Sequence, residues 1–260
     1  MDPTTSANRV AWEAVSQKYV REYSELLAQA ASGCSLIDTE RDLLRRILRG
    51  SPEVAHLQSG NGTDDVALAR AGAKSVVGID YSQVAVGAAR RRADELGVAC
   101  RYVIAAVPPV PLSSASADLV YTGKGALMWM ADLAAWAREI ARLLRPAGHL
   151  FVYEEHPAAA LWTWDEDRPR IREDRGYFGG TRVNDTFPAH GAVERQWTLG
   201  EIVTAVVAAG MEVLHLGEYP EPFWRMGGVS AAAWNGQLPN SFALLARRTG
   251  KPAVSDMVPP

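Results

Sequence analysis

His56-Leu57-Gln58-Ser59-Gly60-Asn61-Gly62-Thr63-Asp64-Asp65 is the stretch that decides the fold of this chain. An apolar run, Val54 to Leu57, enters it, and a run of helical character, Val66-Ala67-Leu68-Ala69-Arg70, leaves it. Strand, glycine turn and helix in that order form the opening unit of a nucleotide-binding α/β sheet. Gly60 and Gly62 permit a sharp turn and a close approach to a ligand, because neither carries a Cβ. Asp64 or Asp65 is expected to cap the helix that follows.

A dinucleotide fingerprint requires a third glycine at position 65, where this chain has Asp65 with Asp64 beside it. Pyrophosphate binds at that helix N-terminus in dinucleotide enzymes. Two carboxylates there repel a phosphate and attract a cation. S-adenosylmethionine, which carries an ammonium and a sulfonium and no phosphate, meets that condition. The run Val76-Val77-Gly78-Ile79-Asp80-Tyr81-Ser82 reads as a second strand ending in an acid, about twenty residues past the first glycine, the distance of a ribose-binding carboxylate. Asp80 is therefore expected to hold the ribose hydroxyls through charge-assisted hydrogen bonds.

The stretch from Val54 to Pro157 resembles the class I S-adenosylmethionine-dependent methyltransferases. It is most similar to a bacterial subfamily whose first loop reads Leu-Gln-Cys-x-x-Gly-x-Asp-Thr-Leu and whose fifth strand ends Glu-x-His-Pro. This chain has Leu57-Gln58-Ser59-Gly60-Asn61-Gly62-Thr63-Asp64 and Glu154-Glu155-His156-Pro157 at those places, and the likeness extends to Asn8–Tyr23 and Trp197–Arg225. The resemblance implies a Rossmann-like seven-stranded, mostly parallel sheet with an N-terminal helical lid and a cap inserted after strand five. It also implies S-adenosylmethionine as cofactor and S-adenosylhomocysteine as its product. Gln58, Gly60, Asn61, Gly62, Asp64, Asp80 and Tyr81 are then expected around the cofactor.

The 260 residues form one large domain or one domain with an insertion. The expected parts are 1–50 as lid, 51–157 as cofactor core, 158–197 as cap, 198–248 completing the sheet, and 249–260 as a disordered tail. No apolar run approaches the roughly eighteen residues of a membrane span. The start, Met1-Asp2-Pro3-Thr4-Thr5, lacks the basic and apolar regions of a secretion signal. Two cysteines, Cys34 and Cys100, without metal or redox spacing, fit a reducing cytoplasm and give no metal site. A net charge of −3 offers no footprint for nucleic acid. A small molecule is the expected partner; the oligomeric state is open.

Asn8 to Ala31 reads as one helix, with Trp12, Val15, Tyr19, Tyr23 and Leu27 on one face. That face either packs on the sheet or closes over the cofactor; in the family such helices offer a Tyr hydroxyl, here Tyr19 or Tyr23. Thr39 is expected to cap a second helix, Glu40 to Leu48. Strands and helices then alternate: strands at 54–57, 75–80, 100–104, 117–122, 148–154, 211–219 and 241–247, with helices between. Such alternation specifies a doubly wound sheet with ligands outside the carboxyl ends of its strands.

Those ends supply the remaining candidates. After strand three, Ala106 and Val107 stand where many of these methyltransferases have an acid for the adenine amino group, so backbone and apolar contact are expected to hold adenine. After strand four, Thr122-Gly123-Lys124-Gly125 is expected beside the methionine end, with Lys124 either solvated or anchoring substrate. Along strand five Glu154 and His156 project to one side, a carboxylate and an imidazole that are candidates for acid–base work or for a structural part. The aromatic segment after Pro157, about forty residues long, is longer than an ordinary connection and reads as a substrate cap or an interface. Trp162, Trp164, Tyr177, Phe178 and, from a later loop, Trp224 are its candidate walls. Three segments, 122–127, 162–165 and 219–224, are similar to bacterial indole C3-methyltransferases of pyrroloindoline alkaloid pathways. The expected activity is methyl transfer to a small aromatic acceptor, with C3 of an indole in secondary metabolism as its finer form. An O- or N-methyltransferase, a nicotinamide oxidoreductase on the same sheet, and a non-catalytic relative remain open.

Overall fold

The apolar runs of the sequence become the strands of one seven-stranded sheet in order β3-β2-β1-β4-β5-β9-β8. The strands are β1 (Glu53–Leu57), β2 (Ser75–Asp80), β3 (Cys100–Ile104), β4 (Ala117–Gly123), β5 (Leu144–Glu155), β8 (Met211–Tyr219) and β9 (Ser241–Arg248). The first five pair parallel, and β9 pairs antiparallel with both β5 and β8. The computed structural model describes residues 3–163, 170–185, 187–225 and 227–250.

Successive side chains on the central strands enter two different cores, as the pleat requires. Leu57, Val120 and Val152 pack with Trp136 and Ile140 of α7 (Leu133–Leu143) and Ile202 and Val206 of α8 (Leu199–Ala208). Tyr121, Phe151 and Tyr153 pack with Leu44 and Leu48 of α4 (Asp38–Leu48) and Leu68 of α5 (Thr63–Arg70). The helix α6 (Gln83–Leu96) covers β3 through Val86, Ala89 and Ala93. Helix starts follow local chemistry. Ser82 accepts the Ala85 N–H at 3.1 Å, Asp132 accepts that of Ala135 at 2.8 Å, and Thr198 with Glu201 forms a reciprocal capping box.

Several expectations are corrected here. The single N-terminal helix is three: α1 (Pro3–Val15), α2 (Gln17–Arg21) and α3 (Tyr23–Ser32). The chain tightens at Ser16, whose carbonyl accepts the Tyr19 N–H in a three-residue step. Thr39 does not cap α4; the buried Glu40 carboxylate takes the Ile37 N–H at 2.9 Å, and the helix starts at Asp38. Neither Asp64 nor Asp65 caps α5. Gly62 stands at its cap with φ 77°, and both acids are engaged elsewhere. Strand five begins at Leu144, not Gly148. Thr249 is not loose, since its N–H and hydroxyl both donate to the Gly210 carbonyl; the rest of the expected tail, 251–260, lies outside the described residues.

Between β5 and α8 the chain forms its own antiparallel hairpin, β6 (Thr181–Val183) with β7 (Val193–Arg195). The Asn8 side chain of α1 donates to the Val193 carbonyl at 3.0 Å and accepts the Val193 N–H at 2.7 Å, which pins α1 to this hairpin.

Candidate active site

A cavity of about 430 Å³ opens over the carboxyl ends of β1, β2 and β4. Gln58, Ser59, Gly60 and Asn61 form one wall, Asp80 and Tyr81 a second, Val107 and Pro108 a third, and Gly123, Lys124 and Gly125 a fourth. Thr5, Asn8, Trp12, Ser16 and Tyr19 roof it.

The Asp80 carboxylate accepts the Gly60 N–H at 3.0 Å and the Ser82 N–H at 2.8 Å, one on each oxygen, which leaves lone pairs for a ligand. Burial raises its pKa, and those two N–H groups work against the rise. Burial and the nearby Asp80 push the Tyr19 hydroxyl up to about 12 and raise that of Tyr81 as well, so both stay protonated donors. Gln58 donates to the Ala126 carbonyl at 2.9 Å and ties the glycine loop to the loop after β4.

The Lys124 ammonium donates to Ser35 O at 2.8 Å and lies 2.9 Å from Asp64 Oδ1 and 3.0 Å from Glu40 Oε2. Glu40 is wholly buried and also accepts the Tyr121 hydroxyl at 2.5 Å. Burial lowers the Lys124 pKa, but Asp64 and Glu40 outweigh it and leave the group above its ordinary value. Burial likewise raises Asp64, and Lys124 and His56 reverse the effect, leaving it low. All three ammonium protons are thus committed within the protein, and Lys124 joins α4, α5 and the loop after β4 instead of reaching out to a substrate.

A second buried pair lies beneath the glycine loop. His56 Nδ1 stands 2.6 Å from Asp65 Oδ1, with Asp65 wholly buried, and the His56 ring lines the cavity. Sequence reading passed over His56 as a strand residue. Its only signal was an imidazole on the first strand with an acid in the first turn of the next helix.

Other candidates fall outside the cavity wall. Tyr23 is buried under the Arg91 and Arg92 guanidinium groups, 4.1 and 5.3 Å from its ring. Gly62 is closed off, because a Cβ there would stand 2.5 Å from the Tyr102 hydroxyl. Ala105 continues the pairing with Asp80 O, so Ala105 and Val107 face inward and Ala106 does not. Thr122 is buried in β4 while Gly123 lines the cavity; a Cβ on Gly123 would overlap the Tyr153 carbonyl.

Glu154 and His156 do not reach the cavity either. The Glu154 carboxylate accepts four backbone N–H groups: Gly125 at 2.5 Å, Ala126 at 2.7 Å, Leu127 at 2.9 Å and Glu155 at 2.8 Å. Burial raises its pKa and the four N–H groups oppose the rise. It is a clamp on the loop, with no capacity left for a proton shuttle. His156 Nδ1 accepts the Ala158 N–H at 3.1 Å, and Nε2 lies 2.9 Å from Glu218 Oε1. Burial lowers its pKa, and Glu218 offsets part of that. Both residues border a separate recess of about 40 Å³.

The cap aromatics also pack elsewhere. Trp162 lies against Trp234, with ring centroids 5.0 Å apart, and Trp224 against Phe223 at 4.9 Å. Tyr177 meets Phe178 at 5.2 Å, and Phe178 is 92% exposed. Trp164 lies outside the described residues. The aromatic part of the wall comes instead from Trp12 and Trp129, edge to face with centroids 5.6 Å apart, with Phe187 behind Trp12 at 5.5 Å.

Glu155 supplies a pH prediction. Burial, then Glu154 and Glu194, push its carboxyl up to about 8 against the opposing Arg182 and Arg175. An acid with a raised folded pKa costs nothing while protonated in both states, and its cost grows as pH rises from the unfolded value of about 4.5 to 8. Glu155→Gln is therefore expected to match the parent near pH 4 and to melt at higher temperature at pH 8. Equal melting shifts at the two pH values would refute the assignment.

Comparison with known proteins agrees with this architecture. Residues 55–152 match the family described as a methyltransferase domain. An S-adenosylmethionine-dependent methyltransferase from Mesorhizobium loti superposes with TM-score 0.64 and 26% identity, over 78% of this chain and 96% of that one. The [4+2]-cyclase SpnF superposes with TM-score 0.57 and 20% identity, over 91% of this chain and 96% of that one, a likeness of fold. An uncharacterized 37.1 kDa protein in transposon TN4556 of Streptomyces fradiae is 36% identical over 146 residues, 54% of this chain. The match spans about two fifths (39%) of that relative's length. The donor set fits the cofactor of such a fold. Asp64, Asp80 and Asp132 line the cavity, its basic side chains among the described residues are His56 and the fully committed Lys124, and nothing there is built for a diphosphate. Residues 55–152 are thus a methyltransferase domain, and the sheet around them has the fold of the S-adenosylmethionine-dependent methyltransferases.

Proposed function

We propose that this protein methylates a small, uncharged aromatic molecule, with C3 of an indole as the finer form of the reading and an O- or N-acceptor as its rival. One observation carries it: the cavity runs from a ribose-type acid, Asp80, to an aromatic corner made by Trp12 and Trp129. Asp80 would hold the ribose hydroxyls, Tyr19 and Tyr81 would donate nearby, and Val107 with Pro108 would flank adenine. When bound, S-adenosylmethionine supplies a methyl group already activated on a sulfonium, and S-adenosylhomocysteine is left as a neutral thioether. The protein's own task is then alignment and exclusion of water, and proximity and orientation contribute about 7–11 kcal/mol in favourable cases. The acidic lining, with no uncommitted lysine, disfavours an anionic acceptor. Glu154 would act by fixing the loop that carries Gly123 to Ala126.

Incubation with S-adenosylmethionine and a panel of indoles, phenols and amines, read by mass spectrometry, tests the activity. Gain of a methyl on an aromatic is the expected result; methylation confined to non-aromatic amines would overturn the reading. Trp12 is half-buried at the roof, so Trp12→Ala should reduce kcat/KM for the acceptor about tenfold, the scale of one aromatic contact. The affinity for S-adenosylhomocysteine should stay within about twofold. A loss of cofactor affinity as large as the loss of kcat/KM would remove Trp12 from the acceptor corner.

A further inference from the structure

The aromatic corner of the cavity holds more than two tryptophan rings. The chain from Leu127 to Asp132 is braced there: the Met130 N–H donates to the Leu127 carbonyl at 3.0 Å, and the Trp197 indole donates to the Met130 carbonyl at 3.0 Å. Trp129 and, three residues on, Asp132 are carried on this one fixed turn, and both line the cavity. Asp132 caps α7, with Oδ1 accepting the Ala135 N–H at 2.8 Å. Its other oxygen has no partner among the described residues.

The other two acids of the wall are occupied. Lys124 and the Ser35 hydroxyl hold Asp64, and the Gly60 and Ser82 N–H groups hold Asp80 at the ribose position. A cap alone is no binding site, because an acid suits the start of a helix in any protein. A second polar group, on the roof, points to a ligand in the same cavity. Ser16 follows Trp12 by four residues, lines the cavity and is 1% exposed. Its hydroxyl caps nothing and has no partner among the described residues. A buried hydroxyl left unbonded is costly, and a ligand that bonds it relieves the cost.

A carboxylate oxygen only accepts, so what meets Asp132 must donate. The Arg195 guanidinium stands beside the same turn, 4.2 Å over the Trp197 ring and 3.5 Å from the Ala131 carbonyl. With that cation and the cofactor's sulfonium nearby, a neutral donor suits the corner better than an ammonium. A ring N–H lies in the plane of its aromatic system. A flat molecule can therefore rest against Trp12 and Trp129 and still aim that bond at the carboxylate beside them.

We infer that the free oxygen of Asp132 selects the acceptor by taking the N–H of a neutral aromatic ring. Asp132 is then a specificity-determining residue. It acts so only within the aromatic-acceptor reading above, which it narrows to rings that carry an N–H, indole among them.

The test is isothermal titration calorimetry on the protein saturated with S-adenosylhomocysteine, with indole and benzofuran as probes. Benzofuran has the same shape and puts an oxygen where indole has its N–H. The parent should bind indole about tenfold more tightly, the low end for a charge-assisted hydrogen bond because Asp132 is exposed. In Asp132→Asn the cap claims the carbonyl oxygen, so an amide NH₂ replaces the free oxygen. The preference should fall to within about twofold, with the affinities for benzofuran and S-adenosylhomocysteine unchanged. Asp132→Ser, which caps through a shorter hydroxyl, should lose the preference in the same way. Equal affinities in the parent, or a preference that persists in both variants, overturn the inference alone. So does an equal loss of both probes in the variants, which would mark Asp132 as purely structural. If neither probe binds the parent, the aromatic-acceptor reading falls and this assignment with it.

Discussion

Lys124→Met is expected to destabilise the protein by about 3–5 kcal/mol, the cost of breaking a buried ion pair on one side. The substitution removes the one cation that lies between Glu40, wholly buried, and Asp64, 14% exposed at its side chain. It leaves two carboxylates and the Ser35 carbonyl facing an apolar end. The pH dependence has a definite sign. In the parent, Asp64 has a lowered pKa, so its contribution is present above the ordinary carboxylate range and is lost on acidification. In the variant the same acids lack their cation and shift upward, so their cost is full near neutrality and vanishes once both are protonated. The deficit should therefore be largest at pH 7 and shrink toward pH 4. Glu40→Gln added to Lys124→Met should recover part of it. Denaturant titration at the two pH values reads both effects; a deficit below about 1 kcal/mol, or one indifferent to pH, would show that the network is ornamental.

The second large effect belongs to Glu154. Glu154→Ala strands four backbone N–H groups, two of them on the buried residues Ala126 and Leu127. Each unsatisfied buried donor costs about 1–3 kcal/mol, so a total near 3–5 kcal/mol is expected after partial rescue by water. The loop from Gly123 to Leu127 loses its anchor, and cofactor affinity should fall with turnover, by about a hundredfold for 2–3 kcal/mol of lost loop order. Glu154→Gln, which keeps one acceptor oxygen, should lie between. The split between binding and turnover separates the clamp from a catalytic base. A base would lose turnover and keep S-adenosylhomocysteine; a clamp loses both. Retained cofactor affinity in Glu154→Ala, measured by calorimetry, would return this residue to the chemistry.

The sheet was legible because its signals are local. Alternating strands and helices, the glycine turn and the acid ending β2 each lie within a few residues of what they determine. At Asp80 the same locality shows as geometry: the carboxylate accepts the Gly60 N–H that the motif itself provides. The site's side chains were harder, because their meaning depends on partners far along the chain. The pleat predicts that Glu154 and His156 share one side of strand five, but β5 ends at Glu155, and no rule of alternation says what covers either side chain. It is the 125–127 loop for one and Glu218 for the other. Aromatic density after Pro157 suggested a substrate wall. Trp162 and Trp224 had nearer apolar partners in Trp234 and Phe223, more than sixty residues away in the first case and adjacent in the second. Trp12 stood on a helix face that reads either as sheet packing or as a lid, and Trp129 carried no signal of its own; both line the cavity beneath the roof formed by α1.

The double hydrogen bond between Asn8 and Val193 joins positions 185 residues apart. The ceiling of the pocket is therefore fastened by a segment that emerges late in synthesis. Until the hairpin exists, the first helix has no latch, and a chain emerging from the ribosome carries its glycine loop and Asp80 with the top still open. Tight retention of the nucleoside is in this sense a certificate of completed assembly, and truncated translation products should carry none.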